Sequence, residues 1–194
     1  KKIQKQILNR LKKIIKNIDM LVFSDFNYGC LPQNLVEKII YEAKKENIFV
    51  VADSQSSSQV GNISRFKSLD LITPTEREAR IALQNNDDGL IVLSESLKKK
   101  CESKNIILTL GEAGILMYNP LEETDRLPTF NLNPLDVSGS GDSLYITASM
   151  IMALGGDIWS AGFLGSVAAS IQSSRIGNLP INASNLRSKI EDLI

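Results

Sequence analysis

The chain has 194 residues, 43% of them hydrophobic, which is enough to bury a substantial core as one domain. Its 22 Lys and Arg balance 22 Asp and Glu, so the total charge gives no reason to expect a nucleic-acid or membrane partner. It contains no histidine, which excludes Ser-His-Asp and Cys-His catalysis, imidazole bases and His-ligated zinc.

Charge is unevenly placed. Residues 1–17 carry seven Lys or Arg and no acid. Within this stretch and just beyond it, Ile3, Ile7, Leu11, Ile14 and Ile18 recur at helical spacing, with Lys on the other face. The expectation is a helix packed on a sheet with a solvated basic side. MLVFSD (20–25) reads as a buried strand, 31–47 as a helix and IFVVAD (48–53) as a second strand. The Ser/Gln stretch 54–59 is a loop. A strand at 69–73 follows, then helices at 75–85 and 90–103 around a loop at Asn85–Gly89. NIILTL (105–110) and ILMYN (115–119) read as neighbouring strands across a Gly-rich turn. After a Pro-containing segment come helices at about 141–154, 157–174 and 182–193. Strands alternating with helices predict a layered α/β fold with a mainly parallel sheet. Ligands of such sheets sit beyond the carboxyl ends of the strands, where Asp25, Asp53, Thr73 and Gly111 lie. Cys30 and Cys101 match no metal or redox spacing and suit a reducing cytoplasm. No apolar run approaches the roughly 20 residues needed to cross a bilayer, and the basic start lacks the apolar block of a signal peptide.

The most informative segment is DVSGSGDSLYITASMIMALGG (136–156). Gly139 and Gly141 let backbone amides approach a ligand, and the helix that follows adds unpaired donors and partial positive charge. Asp142 in its first turn would repel a phosphate in a simple anion site. It makes sense as a base that takes a proton from an attacking hydroxyl while the amides hold the transferring group. On these residues alone a second reading stays open, in which Asp142 only stabilises the helix start.

DVSGSGD resembles the D-[TV]-[TS]-G-A-G-D signature of the ribokinase-like (PfkB-type) carbohydrate kinases, with Ser140 in place of Ala. LITPTEREA (71–79) is similar to that family's T-P-N-x-x-E segment, and LTLGEAG (108–114) to its T-x-G-x-x-G turn. AGFLGSVAASIQSSRIG (161–177) is similar to the helix and turn that close over adenine. DFNYG (25–29) and VVADSQ (50–55) most resemble the heptose-phosphate kinases related to ADP-heptose synthesis.

The resemblance implies a three-layer ribokinase-like fold, of which 1–194 is the C-terminal ATP-binding and catalytic portion, with the N-terminal, sugar-holding part missing. It implies Asp142 as catalytic base, with Gly139, Ser140 and Gly141 joining it in an anion hole. Asp136 would position that loop, Thr109, Gly111 and Gly114 would line the nucleotide, and Ser166 and Gly177 would lie near adenine. Glu78 would organise Mg²⁺ and its waters, although an acid in a first helical turn is ordinarily a solvated or dipole-stabilising group. ATP and a sugar or sugar phosphate are the implied partners, with no nucleic acid and no membrane, and a homodimer is left open. Thr75 departs from the family's Asn, and Tyr28 and Gln55 stand where the heptose kinases tend to carry Lys. Weak or no activity is expected of the chain alone, because positioning both reactants is most of phosphoryl-transfer catalysis.

Other readings rank lower. The departures motivate a non-catalytic nucleotide-binding or regulatory module built on the same fold. A Rossmann oxidoreductase would need its Gly-rich turn after the first strand. No Walker or protein-kinase motif is present. Trp159 reads as core or interface, Cys101 as a structural thiol, and Ser56–Ser58 as a polar loop.

Overall fold

The structure, a computed structural model, describes residues 2–56, 59–119 and 124–193; Ser57 and Ser58 of the polar loop lie outside them. The chain forms two compact units, divided in sequence between Ile106 and Ile107.

The first unit opens with helix α1 (Lys2–Ile14) and strand β1 (Met20–Asp25). Helix α2 (Gln33–Lys45), strand β2 (Phe49–Ser54) and a 3-10 turn at Ile63–Arg65 follow. Strand β3 (Leu71–Ile72), helices α3 (Glu76–Leu83) and α4 (Leu90–Cys101) and the start of strand β4 (Asn105–Thr109) complete it. The strands lie parallel in the order β1-β2-β3-β4, with Met20 opposite Phe49, Val51 opposite Leu71 and Leu71 opposite Asn105. Val50, Val51, Ala52, Leu71, Ile72 and Ile106 are fully buried, as unbroken apolar runs require in a sheet covered on both faces. Helix α2 contributes Leu35, Val36, Ile39, Ile40 and Ala43 to this core.

Two expectations are corrected in this unit. No residue of α1 is buried: Ile3, Ile7 and Ile14 are exposed, and the first buried side chain is Ile15, just after the helix. The helix lies beside α2, where Lys12 pairs with Glu42 at 2.7 Å, because α2 already supplies the apolar stripe that meets β2. Strand β3 is shorter than 69–73. Asp70 Oδ2, and not a backbone carbonyl, accepts the Val50 N–H at 2.8 Å, and Pro74 has no N–H with which to extend the ladder.

Asp70 is also one of the few buried acids. Burial pushes its carboxyl up, but hydrogen bonds from Lys104, Lys44 and the Val50 amide outweigh that and hold it below the ordinary value. Cys101 is fully buried, and burial pushes its thiol up to about 12, so it is a structural thiol as expected.

The second unit contains the rest of β4, a 3-10 turn at Gly111–Ala113, and strands β5 (Ile115–Tyr118) and β6 (Asp125–Leu127). Helices α5 (Ser140–Ala153), α6 (Ile158–Ser173) and α7 (Ala183–Glu191) follow. Its strand order is β4-β5-β6, with β6 antiparallel to β5 and Ile115 opposite Leu127. Strand β6 was not expected, since three residues carrying Asp and Arg give no apolar alternation. Helices α5 and α6 pack against each other, and α6 buries ten residues. A helix apolar nearly all round is buried on most sides. Trp159 is half-buried on its first turn. No described helix is long and apolar enough to cross a membrane.

Candidate active site

Helix α5 begins at a loop that the chain bends tightly. Gly139 takes the left-handed conformation (φ +75°), which a side chain would resist, and a Cβ there would stand 2.6 Å from Asn178 Oδ1. Ser140 N–H donates to Val137 O at 3.1 Å, so this amide serves the turn itself. Ser143 N–H donates back to Gly139 O at 2.9 Å and closes the first helical turn. Gly141 is exposed, with open space beside it, in a turn where a helix has no carbonyl of its own for its amides. Asp142, half-buried, is the one acid of that turn.

Asp136 anchors the loop from before the turn. Its Oδ1 accepts the Ser138 N–H at 2.9 Å and its Oδ2 the Gly177 N–H at 3.0 Å. Hydrogen bonds from Ser138, side chain then backbone, and from the Gly177 amide hold the Asp136 carboxyl below its ordinary value. The structure thus brings Asp136, the 138–142 loop and Gly177 into one bonded cluster.

Thr109, Gly111 and Gly114 stand together on the separate β4–β5 turn, where Leu110 N–H donates to Gly114 O at 2.8 Å. Gly111 is exposed at the tip, and a Cβ there would meet nothing. Gly114 is buried, at φ +88° and ψ −129°, with Leu127 O and Pro128 filling the space where a Cβ would go. It is therefore glycine because β5 and β6 require it. Ser166 is buried in α6, only 7% exposed.

Sequence reasoning missed Gln172. This fully buried residue of α6 donates through Nε2 to Ser138 O at 3.2 Å and to Gly177 O at 2.8 Å. The available signal was a long amide in the middle of a run of Ala, Ile and Ser on a buried helix.

In the first unit, Thr75 caps α3. Its Oγ1 accepts the Glu78 N–H at 3.1 Å, and Glu78 Oε2 accepts the Thr75 N–H at 2.9 Å, a reciprocal capping box. The other oxygen, Glu78 Oε1, accepts the Ser56 N–H at 3.0 Å. Thr in place of Asn at 75 keeps the cap, because both residue types serve there. Among the described residues no group of three Cys, Asp or Glu is placed to hold a metal ion. A single carboxylate such as Glu78 is a donor of the kind Mg²⁺ takes, because that ion is bound through one or two carboxylates, waters and substrate phosphates.

The pfkB family of carbohydrate kinases matches residues 2–181, and the chain belongs to that family. Among curated relatives it is 28% identical to bifunctional protein HldE of Haemophilus influenzae (strain PittEE) over 188 residues, 96% of this chain and 38% of that protein. It is 31% identical to bifunctional protein HldE of Aliarcobacter butzleri (strain RM4018) over 157 residues, 79% of this chain and 31% of that protein. The chain thus spans about a third of the length of the curated relatives it matches. Among solved structures, phosphofructokinase-2 from Escherichia coli in complex with potassium superposes with a TM-score of 0.79 at 16% identity, covering 96% of this chain and 62% of that one. Arabidopsis thaliana ribokinase complexed with ribose and ATP gives 0.76 at 16%, covering 92% and 58%. The fold is the three-layer α/β arrangement of the ribokinase-like kinases, with a mainly parallel sheet, as expected from the sequence.

Proposed function

We propose that the protein transfers the terminal phosphoryl group of ATP to a hydroxyl of a sugar or sugar phosphate, with Asp142 as general base. The observation that carries this reading is a carboxylate in the first turn of α5, three residues after the left-handed Gly139, in a loop bonded to Asp136. Membership of a carbohydrate-kinase family supports it, as does the ribokinase neighbour complexed with ribose and ATP.

In this reading the substrate hydroxyl gives its proton to Asp142 as its oxygen bonds to the γ-phosphorus. The bond from that phosphorus to the β–γ bridging oxygen breaks, and ADP leaves with the electron pair. The amides of the 139–142 loop and the positive end of α5 face the negative charge on the transferring group, in the manner of an oxyanion hole. Within the loop, Gly139, Gly141 and Asp142 carry more of this role than Ser140, whose amide is committed to Val137. Glu78 would hold Mg²⁺ through water, and the ion would supply neutralisation of phosphate charge. Thr109, Gly111, Ser166 and Gly177 are proposed for the nucleoside side. The neutral Tyr28 and Gln55 favour a less anionic sugar than a pocket with two lysines would.

The test is Asp142→Asn in the natural protein that carries this sequence, assayed with ATP against free and phosphorylated sugars. Turnover should fall about 10²- to 10⁴-fold while ATP affinity stays within about threefold. Full turnover by the variant, or equal loss of ATP binding, would sink the assignment of Asp142 as base.

A further inference from the structure

We propose that Gln172 is a positioning residue that aims the phosphate-binding loop and ties its geometry to the turn at residues 174–178. The inference rests on the kinase reading of that loop.

Two side chains grip the same two residues, one at their N–H groups and the other at their C=O groups. Asp136 accepts the N–H groups of Ser138 and Gly177. Gln172 donates to the C=O groups of Ser138 and Gly177. Gln172 Oε1 in turn accepts from Arg175 Nη2 at 3.3 Å, and Arg175 Nη2 donates to Leu179 O at 2.5 Å. Both amide hydrogens of a fully buried carboxamide are thus spent on one loop and one turn, 34 and 5 residues away in sequence. An unsatisfied buried amide would cost free energy, so the arrangement is held in place from the core outward.

The geometry of the peptide group says what this holding does. Ser138 C=O and Gly139 N–H belong to one trans peptide unit, in which carbonyl and amide point in opposite directions. By drawing the Ser138 carbonyl toward α6, Gln172 turns the Gly139 N–H away from that helix. Asp136 cannot do this, because its contact with Ser138 fixes the preceding peptide unit, the one that carries the Ser138 N–H. The next residue is a left-handed glycine, whose neighbouring peptide planes turn with little steric resistance. Without the bond from Gln172 the amide of Gly139 loses its fixed direction, and a donor misplaced by about 1 Å forfeits a large part of its effect on the transferring group. The same carboxamide holds Gly177 O, so a shift of the 174–178 turn is passed to the loop through one side chain.

The test uses Gln172→Met, similar in length but without donors, in the natural protein, with affinities for ATP, ADP and AMP measured by calorimetry. The expected result is a fall of about tenfold in the ratio of ATP to AMP affinity, with AMP binding itself changed less than about twofold. An unchanged ratio overturns the inference, and so does an equal loss for all three nucleotides with a lowered melting temperature, since that marks a purely structural residue. If Gln172→Met does not fold, Gln172→Asn, which keeps the carboxamide one methylene short, is read by the same ratio. Failure of the wild-type protein to prefer ATP over AMP would instead overturn the kinase reading, and this inference with it.

Discussion

The Asp136 carboxylate accepts the Gly177 N–H at 3.0 Å across 41 residues of sequence, so the loop before α5 and the turn after α6 are fastened by an ionised group. Hydrogen bonds from Ser138 and then Gly177 hold this carboxyl below its ordinary value of 3.8. A depressed folded value means that the contribution is complete above 3.8 and is lost only as pH falls through the lower, folded value. The amide resonances of Ser138 and Gly177 should therefore titrate together with a midpoint below 3.8, and Asp136→Asn should abolish the step. A shared midpoint at or above 3.8 would contradict the bonding described.

Gly111 and Gly114 belong to the same motif, yet their substitution should differ sharply. Gly114 lies in a backbone region open essentially to glycine alone, and an added Cβ would stand 2.8 Å from Pro128 Cα and closer still to Leu127 O. Gly114→Ala should cost about 3 kcal/mol or more, as a loss in denaturation midpoint. Gly111, at φ +60° with open space around it, should cost only about 1 kcal/mol as Ala. Equal costs at the two positions would show that the β5–β6 closure does not depend on Gly114.

What the sequence displayed was periodicity, punctuation and motif. The strand at Met20–Asp25 and the helix at Ser140–Ala153 were legible because apolar runs and glycines mark their ends. Side-chain bonding has no such signature. Gln172 stands beside Ile171 and Ser173 like any helical polar residue, and only its burial against Ser138 and Gly177 reveals its use. The apolar stripe of α1 was equally legible, but a stripe does not say what meets it, and Ile3 and Ile7 meet solvent. Glu78 shows a third case, where the motif was visible and the capping box hidden inside it was not recognised.

Glu78 has two separable roles, and two substitutions part them. Its oxygens accept from Thr75 N–H and Ser56 N–H, so Glu78→Ala strands two donors and should cost about 1–2 kcal/mol. Glu78→Gln keeps an acceptor for one of them and should cost under about 1 kcal/mol. Removal of the charge is common to both. The Mg²⁺ concentration giving half-maximal turnover should therefore rise alike in the two variants if the carboxylate helps to hold the ion. A rise in Glu78→Ala alone would reduce Glu78 to a helix cap.

Asp70 provides the sharpest test of the buried electrostatics in the first unit. Its carboxylate takes Lys44 Nζ at 2.6 Å, Lys104 Nζ at 2.7 Å and the Val50 N–H at 2.8 Å, and its side chain is only 5% exposed. Removing one partner of a fully buried pair typically costs about 3–5 kcal/mol. Lys104 is 72% exposed and Lys44 31%, so both can regain water when the acid is lost. Asp70→Asn should therefore cost less, about 2–3 kcal/mol near neutral pH. Burial raises the Asp70 value and the three hydrogen bonds more than offset it, leaving the folded value depressed. The stabilisation is then complete above 3.8 and disappears as pH falls through the folded value. Chemical denaturation of wild type and variant should show a constant gap at neutral and mildly acidic pH that narrows only as pH falls from 3.8 through the folded value. A gap that narrows well above 3.8 would mean that the lysines do not hold Asp70 ionised.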